Sequence, residues 1–452
     1  MLSWWQNSIF YHIYPLGFFN CPEINPIAIP NHTLSQIQPV NRLAKIRRYY
    51  PHFQKLNIDA IYFGPIFESC THGYDTIDYC QIDRRLGTNQ LFKEIVQELH
   101  RLNIKVVVDA VFNHTSRLFP AFIDLKKNQE NSPFLSWYKK IDFSTNTVWQ
   151  DGFGYDFYQD CVELPTLNTD NICVQNHFFK TVHFWFQEFK IDGLRLDVAY
   201  LLKPNFLKKI RLLTTDLKPD SVLIGELMTP SQTKLINKNL LHTGTNFPLF
   251  QHLHQSFTQK DFWQLKQIFS QQDNLFLFNF LNNHDTDRIF SLLESYPDLQ
   301  SAFVILFTTP GQPCLYYGDE ILFDGLKKSK QDRQVRKKMI NTEKLTKQQK
   351  NHLSFIQKIT TIRQVHPFLA SGQIKIISCH HEKIAYITHS QNQYLLTIIN
   401  TNPNSNLILH NEFFQSNFFQ DVFSLELYQA NNGQLSLPNK NFYILKPKAI
   451  SS

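Results

Sequence analysis

The stretch Gly193-Leu194-Arg195-Leu196-Asp197 is a short apolar run with two charged residues at its end. Residues two apart in a strand point to the same side, so Arg195 and Asp197 are expected to share one face. A short apolar run of this kind is typical of a strand that is buried on both faces, as in a parallel sheet. Comparable runs lead to Asp109, Glu226 and Asp285.

Stretches with helical period lie between the apolar runs. Thr88-Asn89 can cap a helix whose apolar face repeats from Leu91 to Leu99. Two more helices are predicted over His177–Phe189 and Thr342–Val365. The alternation predicts about eight βα units, which fit a (β/α)₈ barrel better than an open doubly wound sheet, although the pattern alone leaves the open sheet possible. Strands are predicted at Ile9–Tyr14, Ala60–Phe63, Val106–Val108, Leu194–Leu196, Val222–Ile224 and Phe276–Phe280.

Two segments interrupt the alternation. Residues 115–173 are too long for a plain βα loop, so they predict a small inserted domain after the third strand. From residue 373 onward the helical period is lost, and short strand-like runs predict a C-terminal antiparallel β-sandwich. The predicted fold class is therefore α/β. Residues 1–114 and 174–372 are assigned to the TIM barrel, 115–173 to the inserted domain and 373–452 to the C-terminal domain.

The composition is that of a globular protein, with 452 residues, 42% hydrophobic and 18% charged. The seven cysteines are scattered without a CxxC pair, which argues against a disulfide framework or a zinc site. The sequence shows no signal peptide and no apolar run long enough for a bilayer, so a cytoplasmic protein without a membrane partner is predicted. The net charge of +7 is densest over residues 327–338, which resemble a solvated loop more than a nucleic-acid patch.

The acids at the strand ends suggest a common site, because all strands of a parallel barrel end at the same rim. Glycoside cleavage uses one protonated carboxyl group to protonate the leaving oxygen and a second carboxylate to attack or to activate water. Repulsion between neighbouring acids would keep one of them protonated. Arg195 can hold Asp197 ionised, and His114 and His284 can donate to sugar hydroxyls. A single acid at a strand end is often only a helix cap, so the interpretation depends on their joint occurrence.

The segments at these strand ends resemble the four signature regions of the α-amylase superfamily, glycoside hydrolase family 13, in the family's order. They are Asp109-Ala110-Val111-Phe112-Asn113-His114, Gly193-Leu194-Arg195-Leu196-Asp197, Gly225-Glu226 and Asn283-His284-Asp285. The resemblance extends over about residues 4–370. It includes the opening strand around Tyr11–Pro15, the loop His72–Tyr79 and the last barrel strand from Thr309 to Glu320. Leu164-Pro165-Thr166-Leu167-Asn168 resembles the fifth region of the neopullulanase and cyclomaltodextrinase branch.

The resemblance implies a retaining hydrolase that cleaves α-1,4-glucosidic bonds of maltodextrins or cyclodextrins, with α-glucan oligosaccharides as substrates. Asp197 would be the nucleophile, Glu226 the acid/base and Asp285 the transition-state stabiliser. The residues implied to bind the sugar at subsite −1 are Tyr74, His114, Arg195, His284, Asp332 and Arg336. Structural roles near the site are implied for Asp109, Asn113 and Asn283.

Two departures from the family pattern affect these expectations. The chain begins at the first barrel strand, so the N-terminal module of many cyclomaltodextrinases is expected to be missing, and the oligomeric state is left open. Residues 21–41 are poor in acids, so the calcium loop of oligo-1,6-glucosidases is not supported. Hard cations need six or more oxygen ligands, which Asn113 alone cannot supply. We therefore predict no required metal and no other cofactor.

Other activities are compatible with the same residues. A 4-α-glucanotransferase would share all three catalytic acids and would differ only in how well water competes with a sugar acceptor. An isomerase or phosphorylase acting on sucrose or trehalose is a minor alternative. A catalytically inactive carbohydrate-binding relative would be expected to lack one of the acids, and none is lacking here.

Overall fold

The computed structural model describes residues 2–28, 38–270, 275–293, 295–327, 332–402, 407–411, 414 and 418–448. Within these residues eight parallel strands form a ring in which each strand pairs with the next one along the chain and the last pairs with the first. A single bridge between Thr245 and Phe278 joins the sixth and seventh strands and closes the ring. The predicted (β/α)₈ barrel is confirmed. Its strands are β1 (Phe10–Ile13), β2 (Ala60–Phe63), β3 (Lys105–Ala110), β4 (Gly193–Leu196), β5 (Val222–Gly225), β6 (Thr243–Gly244), β7 (Phe278–Phe280) and β8 (Gln312–Tyr316).

The predicted strands correspond to barrel strands because both faces of each one are buried. All four residues of β1, β2, β4 and β5 are buried, as expected for parallel strands covered by helices on one side and barrel core on the other. The predicted seventh strand began two residues too early, at Phe276 instead of Phe278. Strand β6 was missed because a two-residue strand leaves no recognisable apolar run.

The three predicted helices correspond to α3 (Asn89–Arg101), α5 (Ile172–Phe184) and α11 (Lys347–Val365). Thr88 caps α3, since its Oγ1 accepts a hydrogen bond from the Leu91 backbone N–H at 3.2 Å. The prediction for α11 began five residues too early, because Thr346 is the cap and Thr342–Lys344 form a separate 3₁₀ turn. Helix α5 begins earlier than predicted and ends in a π-helical turn, Trp185–Phe189. The α-helices are α1 (Pro15–Phe18), α2 (Tyr50–Lys55), α3 (Asn89–Arg101), α4 (Pro120–Asn128), α5 (Ile172–Phe184), α6 (Pro204–Leu217), α7 (Phe247–Thr258), α8 (Trp263–Ser270), α9 (Ile289–Leu292), α10 (Tyr296–Thr308) and α11 (Lys347–Val365).

The segment between β3 and α5 contains helix α4 and a hairpin of two short strands, Phe157–Tyr158 and Cys161–Pro165. It is tied to the end of β3 by an antiparallel bridge between His114 and Thr166 and by the Leu167 backbone N–H, which donates to the Asn113 carbonyl at 2.8 Å. The hairpin therefore lies beside the residues that follow β3. The division of the chain at residues 114, 173 and 372 stays a prediction.

An antiparallel eight-stranded β-domain follows α11, as predicted. Its strands enclose an apolar core of their own. The domain contacts the barrel through Tyr386, whose hydroxyl lies 2.6 Å from the Thr308 Oγ1 at the end of α10. The strands are β9 (Gln373–His380), β10 (Lys383–Ser390), β11 (Gln393–Asn400), β12 (Leu407–His410), β13 (Phe418–Asp421), β14 (Leu427–Asn431), β15 (Gln434–Leu437) and β16 (Phe442–Lys448). They pair in the order β9-β10-β11-β16-β13-β14-β15-β12.

The length and polarity of the helices bear on the membrane prediction. In the described parts of the chain, no helix is both long enough and apolar enough to cross a bilayer.

Candidate active site

The acids predicted at the strand ends meet at one rim of the barrel. Asp109 is the penultimate residue of strand β3, Asp197 directly follows β4, and Glu226 directly follows β5. All three side chains are buried. Asp285 follows β7 after a four-residue loop, and 39% of its side chain is exposed, so it faces the open side of the same rim.

Arg195 connects three of these acids. Its Nη1 donates to Asp109 Oδ1 at 2.9 Å and to Asp197 Oδ1 at 2.8 Å, and its Nη2 lies 2.9 Å from Glu226 Oε1. Because a guanidinium is a rigid planar fork, the carboxyl groups of Asp197 and Glu226 are less than about 1 nm apart. One positive charge thus faces three buried acids.

The charge imbalance affects the protonation of Asp197. Burial raises the pKa of Asp197 well above its ordinary value; Arg195 opposes this shift and the neighbouring Glu226 reinforces it. Glu226 Oε2 also accepts a hydrogen bond from the Val198 backbone N–H at 2.8 Å. Burial and the nearby Glu226 charge therefore favour the protonated form of Asp197, whereas its contact with Arg195 favours the carboxylate.

Asp285 has the opposite electrostatic environment. Its Oδ1 accepts from Arg336 Nη2 at 2.8 Å, and its Oδ2 lies 2.9 Å from His284 Nε2. Burial alone would raise its pKa, but His284 and Arg336 outweigh burial and hold the pKa of Asp285 well below its ordinary value. Asp285 is thus held as an ionised carboxylate at the same rim of the barrel.

Two basic residues of the stretch 327–338, Lys327 and Arg336, lie close to the carboxylates of the site. Arg336 Nη2 is 2.9 Å from Asp332 Oδ2, and Lys327 Nζ is 3.8 Å from Asp332 Oδ1. The stretch also includes Lys328 and Lys330, which lie outside the described residues. Part of the charge that sequence analysis assigned to a solvated loop therefore belongs to the site.

Tyr74 connects Asp109, which contacts Arg195, with His284, which contacts Asp285. Its hydroxyl donates to Asp109 Oδ2 at 3.0 Å and also contacts His284 Nε2. Its ring stacks on the His284 imidazole, with 5.3 Å between the centroids. Tyr62, which was not among the predicted site residues, donates its hydroxyl hydrogen bond to Asp109 Oδ2 at 2.8 Å. It stands inside the apolar run of β2, so a tyrosine near the end of a barrel strand was the only available signal.

His114, Asn113 and Asn283 lie beside this network. The His114 ring stacks on Tyr158 of the inserted hairpin at 5.1 Å, and its Nδ1 is 3.3 Å from Asn113 Nδ2. Burial and the nearby His72 lower the pKa of His114 to about 3, so its imidazole is neutral. The Asn283 side chain accepts a hydrogen bond from the Asp285 backbone N–H at 2.8 Å and so shapes the loop that carries this carboxylate.

The arrangement of potential ligand side chains bears on the prediction that no metal is required. Over the described ranges, no group of three or more His, Cys, Asp or Glu side chains is arranged to hold an ion. Residues 29–37 of the acid-poor segment that bears on calcium lie outside those ranges. The absence of a required metal or cofactor stays a prediction.

Comparisons with known proteins agree with this architecture. The family model for the alpha amylase catalytic domain matches residues 43–339. A cyclomaltodextrinase from Bacillus sp is 32% identical over 419 residues, which are 88% of this chain and 73% of that protein. A maltogenic alpha-amylase from Bacillus acidopullulyticus is 30% identical over 427 residues, covering 89% of this chain and 71% of that one. A solved cyclomaltodextrinase structure has a TM-score of 0.84 at 27% identity and covers 98% of this chain and 78% of its own. Because the catalytic-domain model spans more than half of the sequence, the chain belongs to the alpha-amylase family and is a glycoside hydrolase.

Proposed function

We propose that this enzyme hydrolyses α-1,4-glucosidic bonds of maltodextrins and cyclodextrins by double displacement, with retention of the anomeric configuration. The observation that carries the proposal is the contact of one guanidinium, that of Arg195, with both Asp197 and Glu226. Retaining glycosidases need two carboxyl groups close enough to act on one anomeric carbon, about 5–5.5 Å apart. The substrate class is taken from the names of the relatives, a cyclomaltodextrinase and a maltogenic alpha-amylase.

In this mechanism the two paired acids have different roles. The Asp197 carboxylate attacks the anomeric carbon while the bond from this carbon to the glycosidic oxygen breaks, and Glu226 gives its proton to that oxygen. Glu226 then takes a proton from water, whose oxygen attacks the same carbon and releases Asp197. The mechanism therefore requires a protonated Glu226 and an ionised Asp197 when substrate is bound. Arg195 favours the ionised form of Asp197.

Asp285 and the surrounding side chains would bind the sugar ring at subsite −1. An ionised Asp285 places negative charge next to the positive charge that develops on the ring in the transition state. Tyr74 would stack on the apolar face of the ring, and His114, His284 and the Asp332–Arg336 pair would bind its hydroxyls. We further propose a cytoplasmic site of action on imported oligosaccharides, which the seven free thiols support.

Replacement of the acid/base tests the mechanism. Glu226→Gln keeps the size of the side chain but removes its transferable proton, so kcat on maltotriose should fall by about 10²–10⁴-fold. Steady-state kinetics measure this, with the exposed Glu163→Gln as the matched control that keeps the wild-type rate. If Glu226→Gln hydrolyses maltotriose at a near-normal rate, the assignment of Glu226 is wrong.

The products distinguish retention from inversion and hydrolysis from transfer. NMR of fresh maltotriose digests should show the α-anomer first, and a β-anomer would exclude double displacement. Products longer than maltotriose would instead identify a 4-α-glucanotransferase, because a sugar acceptor would then be competing successfully with water.

A further inference from the structure

Tyr14, the residue that follows strand β1, contacts three separate chain segments that carry proposed sugar-binding residues. Its hydroxyl donates to the His72 carbonyl at 2.8 Å, in the loop that carries Tyr74. The same hydroxyl accepts from Arg336 Nη1 at 3.3 Å. Its ring lies nearly parallel to the His284 imidazole, with an interplanar angle of 7° and 5.7 Å between the centroids.

The contacts of Tyr14 lead to Asp285 by two routes. His284 Nε2 is 2.9 Å from Asp285 Oδ2, and Arg336 Nη2 donates to Asp285 Oδ1 at 2.8 Å. The Arg336 guanidinium also lies 4.6 Å from the centre of the Tyr14 ring, within the range of a cation–π interaction. Both partners of the Asp285 carboxylate therefore rest against one tyrosine.

We propose that Tyr14 is a positioning residue for the reaction: it holds His284 and Arg336 in the geometry in which both contact Asp285, and it ties the Tyr74 loop to them. The inference rests on the proposed function for its catalytic consequence. The Tyr14 hydroxyl is already engaged by the His72 carbonyl and by Arg336, so we infer that it acts through these neighbours. From the sequence, Tyr14 was predicted only as the last residue of the first strand, because a tyrosine at the end of an apolar run is typical of the buried core.

The replacement Tyr14→Phe tests the hydroxyl while keeping the ring. It leaves the stacking on His284 in place but removes the acceptor of Arg336 and the donor to His72. Since Asp285 is needed most as positive charge develops, kcat on maltotriose should fall about tenfold while KM changes less than about twofold. The matched control is Tyr49→Phe, which removes a hydroxyl that donates to the Ile340 carbonyl at 3.2 Å, away from the site.

A second readout needs no glucan. In protein labelled with ¹⁵N-histidine, the imidazole signal of His284, identified by its loss in His284→Asn, should shift in Tyr14→Phe and stay in place in Tyr49→Phe. Circular dichroism and the melting temperature check that each variant is folded. If wild-type enzyme does not act on maltotriose, the proposed function fails, but the imidazole spectrum still decides the role of Tyr14.

Two results would overturn the inference. One is a Tyr14→Phe enzyme with wild-type kcat, KM and His284 signal. The other is that Tyr14→Phe and Tyr49→Phe lower the melting temperature equally and that Tyr14→Phe lowers kcat no more than Tyr49→Phe does. The Tyr14 hydroxyl would then contribute only to stability. A selective fall in kcat together with a shifted His284 signal supports it.

Discussion

Arg195 holds together the most highly charged part of the site, because its single guanidinium contacts three buried carboxyl groups. A lysine keeps the positive charge but is a compact ammonium that cannot bridge three acids from one position. We expect Arg195→Lys to lower kcat/KM on maltotriose at least about 100-fold and the free energy of unfolding by on the order of 3 kcal/mol. Steady-state kinetics and thermal unfolding measure the two effects.

The matched control for this replacement is Arg47→Lys. Arg47 pairs with Glu98 at 2.8 Å, but 38% of its side chain is exposed. A surface pair of this kind contributes about 0–1 kcal/mol, so activity should be unchanged and stability nearly so. Wild-type rates in Arg195→Lys would show that the fork geometry of Arg195 is dispensable.

Single residues of the site differed in how well the sequence could locate them. The alternation of side chains along β4 predicted that Arg195 and Asp197 share a face, and the structure brings them into contact. Tyr14 and Tyr62 could not be found in this way, because their contacts join segments distant in the chain. The stacking of His114 on Tyr158 likewise depends on how the inserted hairpin packs, which local pattern does not encode.

At the scale of elements, Gly193 sets the spacing between strands β4 and β5. A Cβ atom at this position would lie 2.5 Å from both the Val222 carbonyl oxygen and Val222 Cγ1. Gly193→Ala should push β4 away from β5 and cost about 1–3 kcal/mol of stability. Since Asp197 follows β4 and Glu226 follows β5, the shift should also lower kcat about tenfold or more.

A glycine at another barrel strand provides the comparison for this prediction. At Gly64, directly after β2, the nearest atom to an added Cβ is the Ile13 carbonyl oxygen at 3.4 Å, which is ordinary contact. Gly64→Ala should therefore change the melting temperature and kcat much less than Gly193→Ala. Equal effects of the two replacements would contradict the role of Gly193 as a spacer.

Elements were predictable where a local signal marks them. The apolar runs located six barrel strands, and the Thr88 cap located the start of α3. The start of α11 was predicted too early because the 3₁₀ turn Thr342–Lys344 directly precedes the helix. The cap of the helix itself is Thr346, whose Oγ1 accepts a hydrogen bond from the Gln349 backbone N–H. Strand β6 has two residues and is defined by its pairing with β5, which is a tertiary property.

At the scale of the whole molecule, burial of neutral histidines makes the unfolding equilibrium sensitive to acid, because protonation of any of them shifts the same equilibrium. His352 of α11 is fully buried among Phe303, Phe355 and Tyr296. Burial lowers its pKa to about 4 in the folded protein, compared with about 6.5 in an unfolded chain. The stability that the neutral ring contributes is therefore complete above pH 6.5 and is lost as the pH falls toward 4.

We expect His352→Gln to be less sensitive to acid than the wild type. Each pH unit below 6.5 costs the wild type about 1.4 kcal/mol at this position, so the difference in unfolding free energy between the two proteins should change by about 2 kcal/mol from pH 7 to pH 5. The change should be in favour of the variant, and other titrating groups cancel in the comparison. Thermal or urea unfolding at pH 7, 6 and 5 measures it, with His381→Gln as the control because that side chain is 77% exposed. A difference that stays constant over this range would show that His352 does not enter the folded core as a neutral ring.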